Sequence, residues 1–165
     1  MTVLPDVLAP GLRVVFCGSA AGAVSAARGA PYAGPGNKFW PMLFSVGLTP
    51  RLFAPEEFWE LLELGIGITD LNKTTSGSDA AIGTRGDDLP RLRSVIAANA
   101  PGVIAFAGVR AGRAALGSSF GGYGPQGVTF EGSEAWVLPS TSGLAVRYWD
   151  PAPWFALGAR VGERS

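Results

Sequence analysis

The stretch best placed to carry chemistry is a short glycine-bounded turn, GSAAG at residues 18–22. It follows the apolar run Leu12 to Cys17, which is β-branched, too short for a helix and typical of a buried strand. The turn offers one hydroxyl and two methyl groups. It lacks the third glycine of a dinucleotide-binding fingerprint and the Gly-Lys-Ser/Thr of a phosphate-binding loop. A reactive group must therefore come from elsewhere in the chain.

The composition limits which groups those can be. The sequence contains no histidine, which excludes Ser-His-Asp and Cys-His catalysis and removes the commonest zinc ligand. A lone cysteine, Cys17, excludes an internal disulfide. Acid–base chemistry is left to carboxylates, lysines and tyrosines, and we expect no metal and no organic cofactor.

The length of 165 residues predicts one domain over residues 1–165. No apolar run approaches the roughly 18 residues that a membrane span needs, so we expect a cytoplasmic protein with no membrane contact, and a monomer. The 13 basic residues match the 13 acidic ones. A neutral chain shows no general electrostatic attraction to nucleic acid, so any such binding must be local.

Strands and helices alternate along the chain, which predicts an α/β three-layer sandwich around a mainly parallel sheet. We expect loops over 22–35 and 72–87, and ligand binding beyond the carboxyl ends of the strands. The predicted strands are 13–17, 66–71, 103–107 and a hairpin of 128–131 with 134–138, and the predicted helices are 38–46, one opening at 55, 88–98, 110–116 and 151–161.

Three residues near those strand ends are candidates for a site, and each has a plainer interpretation. Asp70 is the carboxylate at a strand's carboxyl end, but such a residue often only forms an Asx-turn. Tyr32 lies in a stiff proline- and glycine-rich loop, where an aromatic ring usually packs over a core edge. Leu144 ends the polar loop PSTSGL, and it can simply fold back inward.

Taken together, four stretches resemble a known family. They are LRVVFCGSAAG, APYAGPGNKFW, GIGITDL and VLPSTSGL, which span most of the chain from Leu12 to Arg147. They are similar to the mismatch-specific uracil-DNA glycosylases, bacterial relatives of thymine-DNA glycosylase. The resemblance implies a central four-stranded parallel sheet between helices. It also implies hydrolysis of the N-glycosidic bond of uracil flipped out of DNA, which leaves an abasic site. Whether related damaged or mismatched bases are excised too, and whether single-stranded DNA serves as well as duplex DNA, stays open.

The resemblance also assigns site residues. Backbone N–H groups around Ser19 and Ala20 meet a base carbonyl, Tyr32 stacks on the base, and Ser140 opens the second family motif. Within that motif Leu144 is the wedge that fills the duplex. Three more residues are placed against DNA: Ser142, Gly143 and, a little further on as a phosphate contact, Arg147.

Two departures from the family pattern bear on catalysis. The family's first motif is usually G-I-N-P-G and its second N-P-S-G-L. The water-positioning asparagine of the first falls on Ala20, and the asparagine of the second falls on Ser140. We therefore expect Asp70 to handle the water, because a carboxylate can accept its proton and stabilise a cationic sugar. The alternatives are a catalytically silent module that binds uracil-containing or abasic DNA, and an α/β hydrolase of small molecules.

Overall fold

Five strands form a single sheet in the computed structural model, which describes residues 2–78 and 83–162. They are β1 (Val14–Gly18), β2 (Ile66–Asp70), β3 (Val103–Ala107), β4 (Gly124–Phe130) and β5 (Ser133–Leu138). Their order across the sheet is β2-β1-β3-β5-β4. Strands β2, β1, β3 and β5 run parallel to one another. Strand β4 pairs antiparallel with β5 at the edge of the sheet. The expected mainly parallel sheet is confirmed, but it has five strands rather than four, because the predicted hairpin contributes both of its strands.

The described part of the chain contains five α-helices; the last four fill predicted positions with differences at their ends, and the helix predicted to open at 55 is a 3₁₀ helix instead. The α-helices are α1 (Ala23–Arg28), α2 (Phe39–Ser45), α3 (Leu89–Asn99), α4 (Val109–Leu116) and α5 (Ala152–Gly162), and 3₁₀ turns cover Pro55–Leu64, Gly117–Ser119 and Val146–Tyr148.

Three of the sequence predictions need correction or fall outside the structure. The expected loop over 22–35 contains α1, a short alanine-rich helix that ends where Gly29 takes a left-handed conformation (φ 69°). The predicted strand 128–131 begins earlier and stops at Phe130, because Glu131 lies in the turn with φ 49°. Within the expected loop over 72–87, residues 79–82 lie outside the described residues.

Side chains alternate between the two faces of the sheet and build two cores. In β1, Val14 and Phe16 pack with α2, the 3₁₀ turn Pro55–Leu64 and α5. Val15 and Cys17 point to the other face, which α3 and α4 cover. This arrangement confirms the three layers. In the described part of the chain, no helix is both long and apolar enough to cross a membrane.

The connections on either side of β1 create the crevice for a site. The segment from β1 to β2 packs on one face of the sheet, whereas α3, between β2 and β3, packs on the other. Because the chain switches faces there, the loops at the carboxyl ends of these strands diverge. The N-terminal segment closes the outer edge of β2, where Val7 exchanges backbone hydrogen bonds with Ile68 (2.8 and 2.9 Å). That pairing brings Asp6 beside the end of β2.

Two buried tryptophans hold the loops that reach over the sheet. The Trp40 indole N–H donates to the Pro31 carbonyl, and the Trp154 indole N–H donates to the Pro139 carbonyl, each at 3.0 Å. Both rings are buried in the same core. The loop that carries Tyr32 and the loop that begins at Ser140 are thereby fixed to the core, not only to their own strands.

Candidate active site

A cavity of about 810 Å³ opens at the carboxyl ends of the strands. Four stretches of the chain form most of its wall: residues 18–25, the loop at 31–37, the end of β2 with residues 77–78, and the loop at 140–145; Leu4 and Ala107 also line it. Its volume is in the range of pockets that hold a small ligand. The cavity lies at the edge of the sheet where the sequence analysis places the site.

The cavity brings together nearly all of the residues that the sequence singles out. Those that line it are Ser19, Ala20, Tyr32, Asp70, Ser140, Ser142, Gly143 and Leu144. Arg147 does not line it. This residue is exposed on the 3₁₀ turn beyond the loop, with its guanidinium 5.8 Å from the Tyr148 ring centroid.

Two of the cavity loops touch each other directly. The Lys38 N–H donates to the Thr141 carbonyl at 2.9 Å. A Cβ atom on Gly143 would lie 2.7 Å from the Pro35 carbonyl oxygen, closer than real Cβ contacts, so only glycine fits there. The Tyr32 loop and the Leu144 loop therefore form one continuous rim.

The turn after β1 uses its carbonyl groups to extend the sheet. The Gly18 carbonyl accepts from the Leu71 N–H at 2.9 Å, and the Ser19 carbonyl accepts from the Asn72 N–H at 2.7 Å. Within residues 2–78 and 83–162, no acceptor contacts the N–H of Ser19 or of Ala20. Both donors are thus available to a ligand carbonyl, whatever side chains the turn carries.

Asp70 lies beside that turn, because the register of the parallel strands sets it against Gly18. It is 8% exposed, and its Oδ2 accepts a hydrogen bond from the Lys73 ammonium at 3.0 Å. Its Oδ1 lies on the Gly18 side, 3.2 Å from where a Cβ atom of that glycine would be. One carboxylate oxygen is therefore held by a cation, and the other lies at the wall of the cavity.

The structure gives the turn-forming role to a different residue. The Asn72 Oδ1 accepts from the N–H groups of Thr74 and Thr75, at 3.0 and 3.1 Å, and so forms the Asx-turn that follows β2. Asp70 makes no such contact with the loop in the described part of the chain. The plainer interpretation of Asp70 is wrong.

Lys73 is the centre of a buried group of charges. Its side chain is 4% exposed, and its ammonium lies 3.1 Å from the Asp6 Oδ1 as well as 3.0 Å from Asp70. Arg91 contacts the Asp6 Oδ2 at 2.8 Å and donates to the Asp70 carbonyl at 2.7 Å. Two carboxylates and two cations balance, and the Thr69 hydroxyl donates to Asp6 at 2.7 Å.

Burial has the largest effect on the pKa of Asp70. Loss of solvent raises the pKa of this carboxyl above its usual value, and the charge and hydrogen bond of Lys73 oppose that rise. Asp6 behaves differently: its pKa is lowered, because the Thr69 hydrogen bond, Lys73 and Arg91 together outweigh its burial. Asp70 is thus the carboxyl with the stronger affinity for a proton, as a general base requires.

Tyr32 packs over the core edge and also lines the cavity. Its ring stacks on Phe39 of α2, with centroids 3.9 Å apart and planes 14° from parallel, so it does pack over the core edge. The same side chain lines the cavity. Leu144 is different, because at 84% exposed it is not folded inward, and that alternative is wrong.

The sequence analysis overlooked several residues of the site. Lys73 stands three residues after Asp70, a spacing that would have suggested an ion pair. Asp6 and Arg91 reach the same cluster from distant segments and leave no local pattern. Asn37 also lines the cavity, and its Oδ1 accepts a hydrogen bond from the Phe39 N–H at the start of α2.

Comparison with known proteins decides the family. A family model described as "Uracil DNA glycosylase superfamily" matches residues 5–158. The chain belongs to the uracil-DNA glycosylase superfamily. Its structure is also similar to a solution NMR structure of "a putative Uracil DNA glycosylase" from Methanosarcina acetivorans. That match has 25% sequence identity and a TM-score of 0.67, and it covers 96% of each chain. The superfamily groups DNA glycosylases, hydrolases of DNA repair.

The buried position of Lys73 predicts a stability effect that depends on pH. Lys73→Met keeps the length of the side chain but leaves Asp70 without its cation, which should lower the free energy of unfolding by about 3–5 kcal/mol at pH 7. In the variant the folded-state pKa of Asp70 rises further above its unfolded value. Between those two pKa values the folded protein binds a proton that the unfolded chain does not. The loss of unfolding free energy should therefore shrink as the pH falls through that range.

Urea unfolding at pH 7 and pH 5 measures this effect. Arg51→Met is the matched control, because Arg51 pairs with Glu57 and Glu60 on the exposed surface and should change little at either pH. An equal loss at both pH values for Lys73→Met would show that Lys73 stabilises the fold by packing rather than by charge.

Proposed function

We propose that this protein is a monofunctional DNA glycosylase that hydrolyses the N-glycosidic bond of uracil flipped out of DNA, with Asp70 as the general base. The finer assignment, to the mismatch-specific branch of the superfamily, rests on the resemblance of its four sequence stretches. The observation that carries the proposal is the position of Asp70. It is a buried carboxylate with one oxygen held by Lys73 and the other at the cavity wall, beside the turn after β1.

The chemistry needs charge stabilisation at two places. As the C1′–N1 bond breaks, positive charge develops on the sugar and negative charge on the departing base. The Asp70 carboxylate can stabilise the sugar cation and accept a proton from water. The N–H groups of Ser19 and Ala20 can donate to the base carbonyl, which gathers the negative charge. Ala20 leaves no side-chain amide in this turn, so Asp70 takes the water-handling role.

The rest of the cavity suits a base that has left the helix. The Tyr32 ring already stacks on Phe39, and its cavity side offers a flat surface for uracil. Ser140 lines the same cavity at the start of the loop that carries Leu144.

The rim fits the DNA from which the base comes. Leu144 projects from the rim loop, and an apolar wedge of this kind fills the space that a flipped nucleotide vacates. Arg147 is exposed a few residues further on and can contact a phosphate. Ser142 and Gly143, in the loop that carries Leu144, can do the same.

Loss of the Asp70 charge tests the proposal. Asp70→Asn keeps the shape of the side chain but removes the basic oxygen, so the single-turnover rate on a uracil-containing duplex should fall by on the order of 10²–10⁴. Abasic sites are counted after alkaline cleavage of the strand. Asp150→Asn is the matched control, since Asp150 is exposed and its Oδ1 caps α5 at the Ala152 N–H, a role that asparagine also performs.

The outcomes separate the function classes. Full activity in Asp70→Asn would eliminate Asp70 as the base, and partial recovery on adding Ala20→Asn would support a relocated water-handling group. Wild-type protein that binds uracil-containing duplex without forming abasic sites would be the silent module. Absence of any competition by duplex DNA would favour a hydrolase of small molecules.

Leu144 gives a second prediction, on the form of the substrate. Leu144→Ala should slow excision from duplex DNA more than from single strands, because only the duplex must be unstacked and refilled. Single-turnover rates on matched oligonucleotides, with and without the complementary strand, measure the difference. Leu52→Ala, at an exposed leucine that does not line the cavity, is the control. Equal slowing on both substrates would remove the wedge role.

A further inference from the structure

The Tyr32 hydroxyl is buried and has no hydrogen-bond partner in the described part of the chain. Such groups are rare in native proteins, because an unpaired buried hydroxyl costs free energy that a partner would recover. Its position is close to the turn after β1: a Cβ atom on Gly18 would lie 3.1 Å from the Tyr32 Oη. Stacking on a base, the role assigned from the sequence, makes no use of this oxygen.

The backbone fixes the hydroxyl in this place. Tyr32 has φ 55°, in the left-handed region that non-glycine residues rarely adopt. Hydrogen bonds on both sides hold it there, since the Pro31 carbonyl accepts from Trp40 and the Ala33 N–H donates to the Ser25 Oγ at 2.9 Å. Stacking on Phe39 holds the ring itself, so backbone and ring contacts together keep the hydroxyl at this place.

A complementary oxygen lies on the other side of Gly18. The Asp70 Oδ1 would be 3.2 Å from the same Cβ position, and among the described residues no donor contacts it. The two groups do not bond to each other. Burial and the nearby Asp70 charge raise the pKa of Tyr32 well above its usual value, so its hydroxyl stays a donor. An unpaired donor and an unpaired acceptor thus flank one glycine at the cavity wall.

We propose that the Tyr32 hydroxyl and the Asp70 Oδ1 together hold the water molecule that attacks the sugar. The water accepts a hydrogen bond from Tyr32, donates one to Asp70 and directs its remaining lone pair at C1′. Its oxygen bonds to C1′ while the C1′–N1 electron pair leaves with uracil, and its proton passes to Asp70. Tyr32 keeps its proton, Asp70 later returns its own to solvent, and solvent protonates the uracil anion. This inference rests on the proposed function and deepens it.

The test is a double-mutant cycle of Tyr32→Phe and Asp70→Asn in single-turnover excision. Phenylalanine keeps the ring and its stacking on Phe39 but removes the hydroxyl. Since misplacing a reacting group costs about 10²-fold, Tyr32→Phe should slow excision by that factor. It should leave the affinity for a duplex with uncleavable 2′-fluoro-2′-deoxyuridine unchanged. The double variant should be no slower than Asp70→Asn alone, because the two groups act on one water.

Controls make each outcome decisive. Tyr123→Phe, at an exposed tyrosine before β4, should retain the wild-type rate, and melting temperatures report whether the Tyr32 loop still folds. Excision by Tyr32→Phe at the wild-type rate, an equal loss of affinity and rate, or a fully additive double variant would each overturn this inference alone. A wild-type protein that forms no abasic sites would overturn the proposed function, and this inference with it.

Discussion

The ion pair between Lys73 and Asp70 is the interaction on which the site depends. A buried carboxylate is costly unless a cation stabilises it, and Lys73 does so from the loop that follows β2, at 3.0 Å. Because Lys73 also contacts Asp6, the N-terminal segment, β2 and the following loop converge on one ammonium. The same contact sets which oxygen of Asp70 lies at the cavity wall, so the balance of buried charge and the orientation of the carboxylate have one cause.

The loops over the sheet are positioned by a different kind of contact. The indole groups of Trp40 and Trp154 lie in the hydrophobic core, yet each donates its one polar hydrogen to a loop carbonyl. Burial of the rings thus fixes the loops of Tyr32 and Ser140 without a covalent link. Close approach at Gly143 then joins the two loops into one rim. A site with few charged groups can be rigid because its loops are attached to the core.

The fold was largely predictable from the sequence, because strand and helix periodicities are local. The parallel strands, the place of the cavity and most of its lining residues follow from which segments end at one edge of the sheet. The helix after Gly22 was missed because it has only six residues and the glycines and prolines around it are typical of a loop. Asp6 and Arg91 could not be found, since tertiary packing alone brings them to Lys73. The unpaired hydroxyl of Tyr32 depends on a left-handed backbone conformation that no sequence pattern predicts.

The central claim is that Asp70 works as a base in its ionised form, and its titration tests that claim most directly. The ¹³C chemical shift of the Asp70 carboxyl, assigned by its absence in Asp70→Asn, gives its pKa, and single-turnover excision across the same pH range gives the rate. Burial raises the pKa of Asp70, so the account predicts a midpoint above that of an ordinary aspartate. The rate should rise with pH at the same midpoint. A rate that stays constant, or falls, while Asp70 ionises would contradict it.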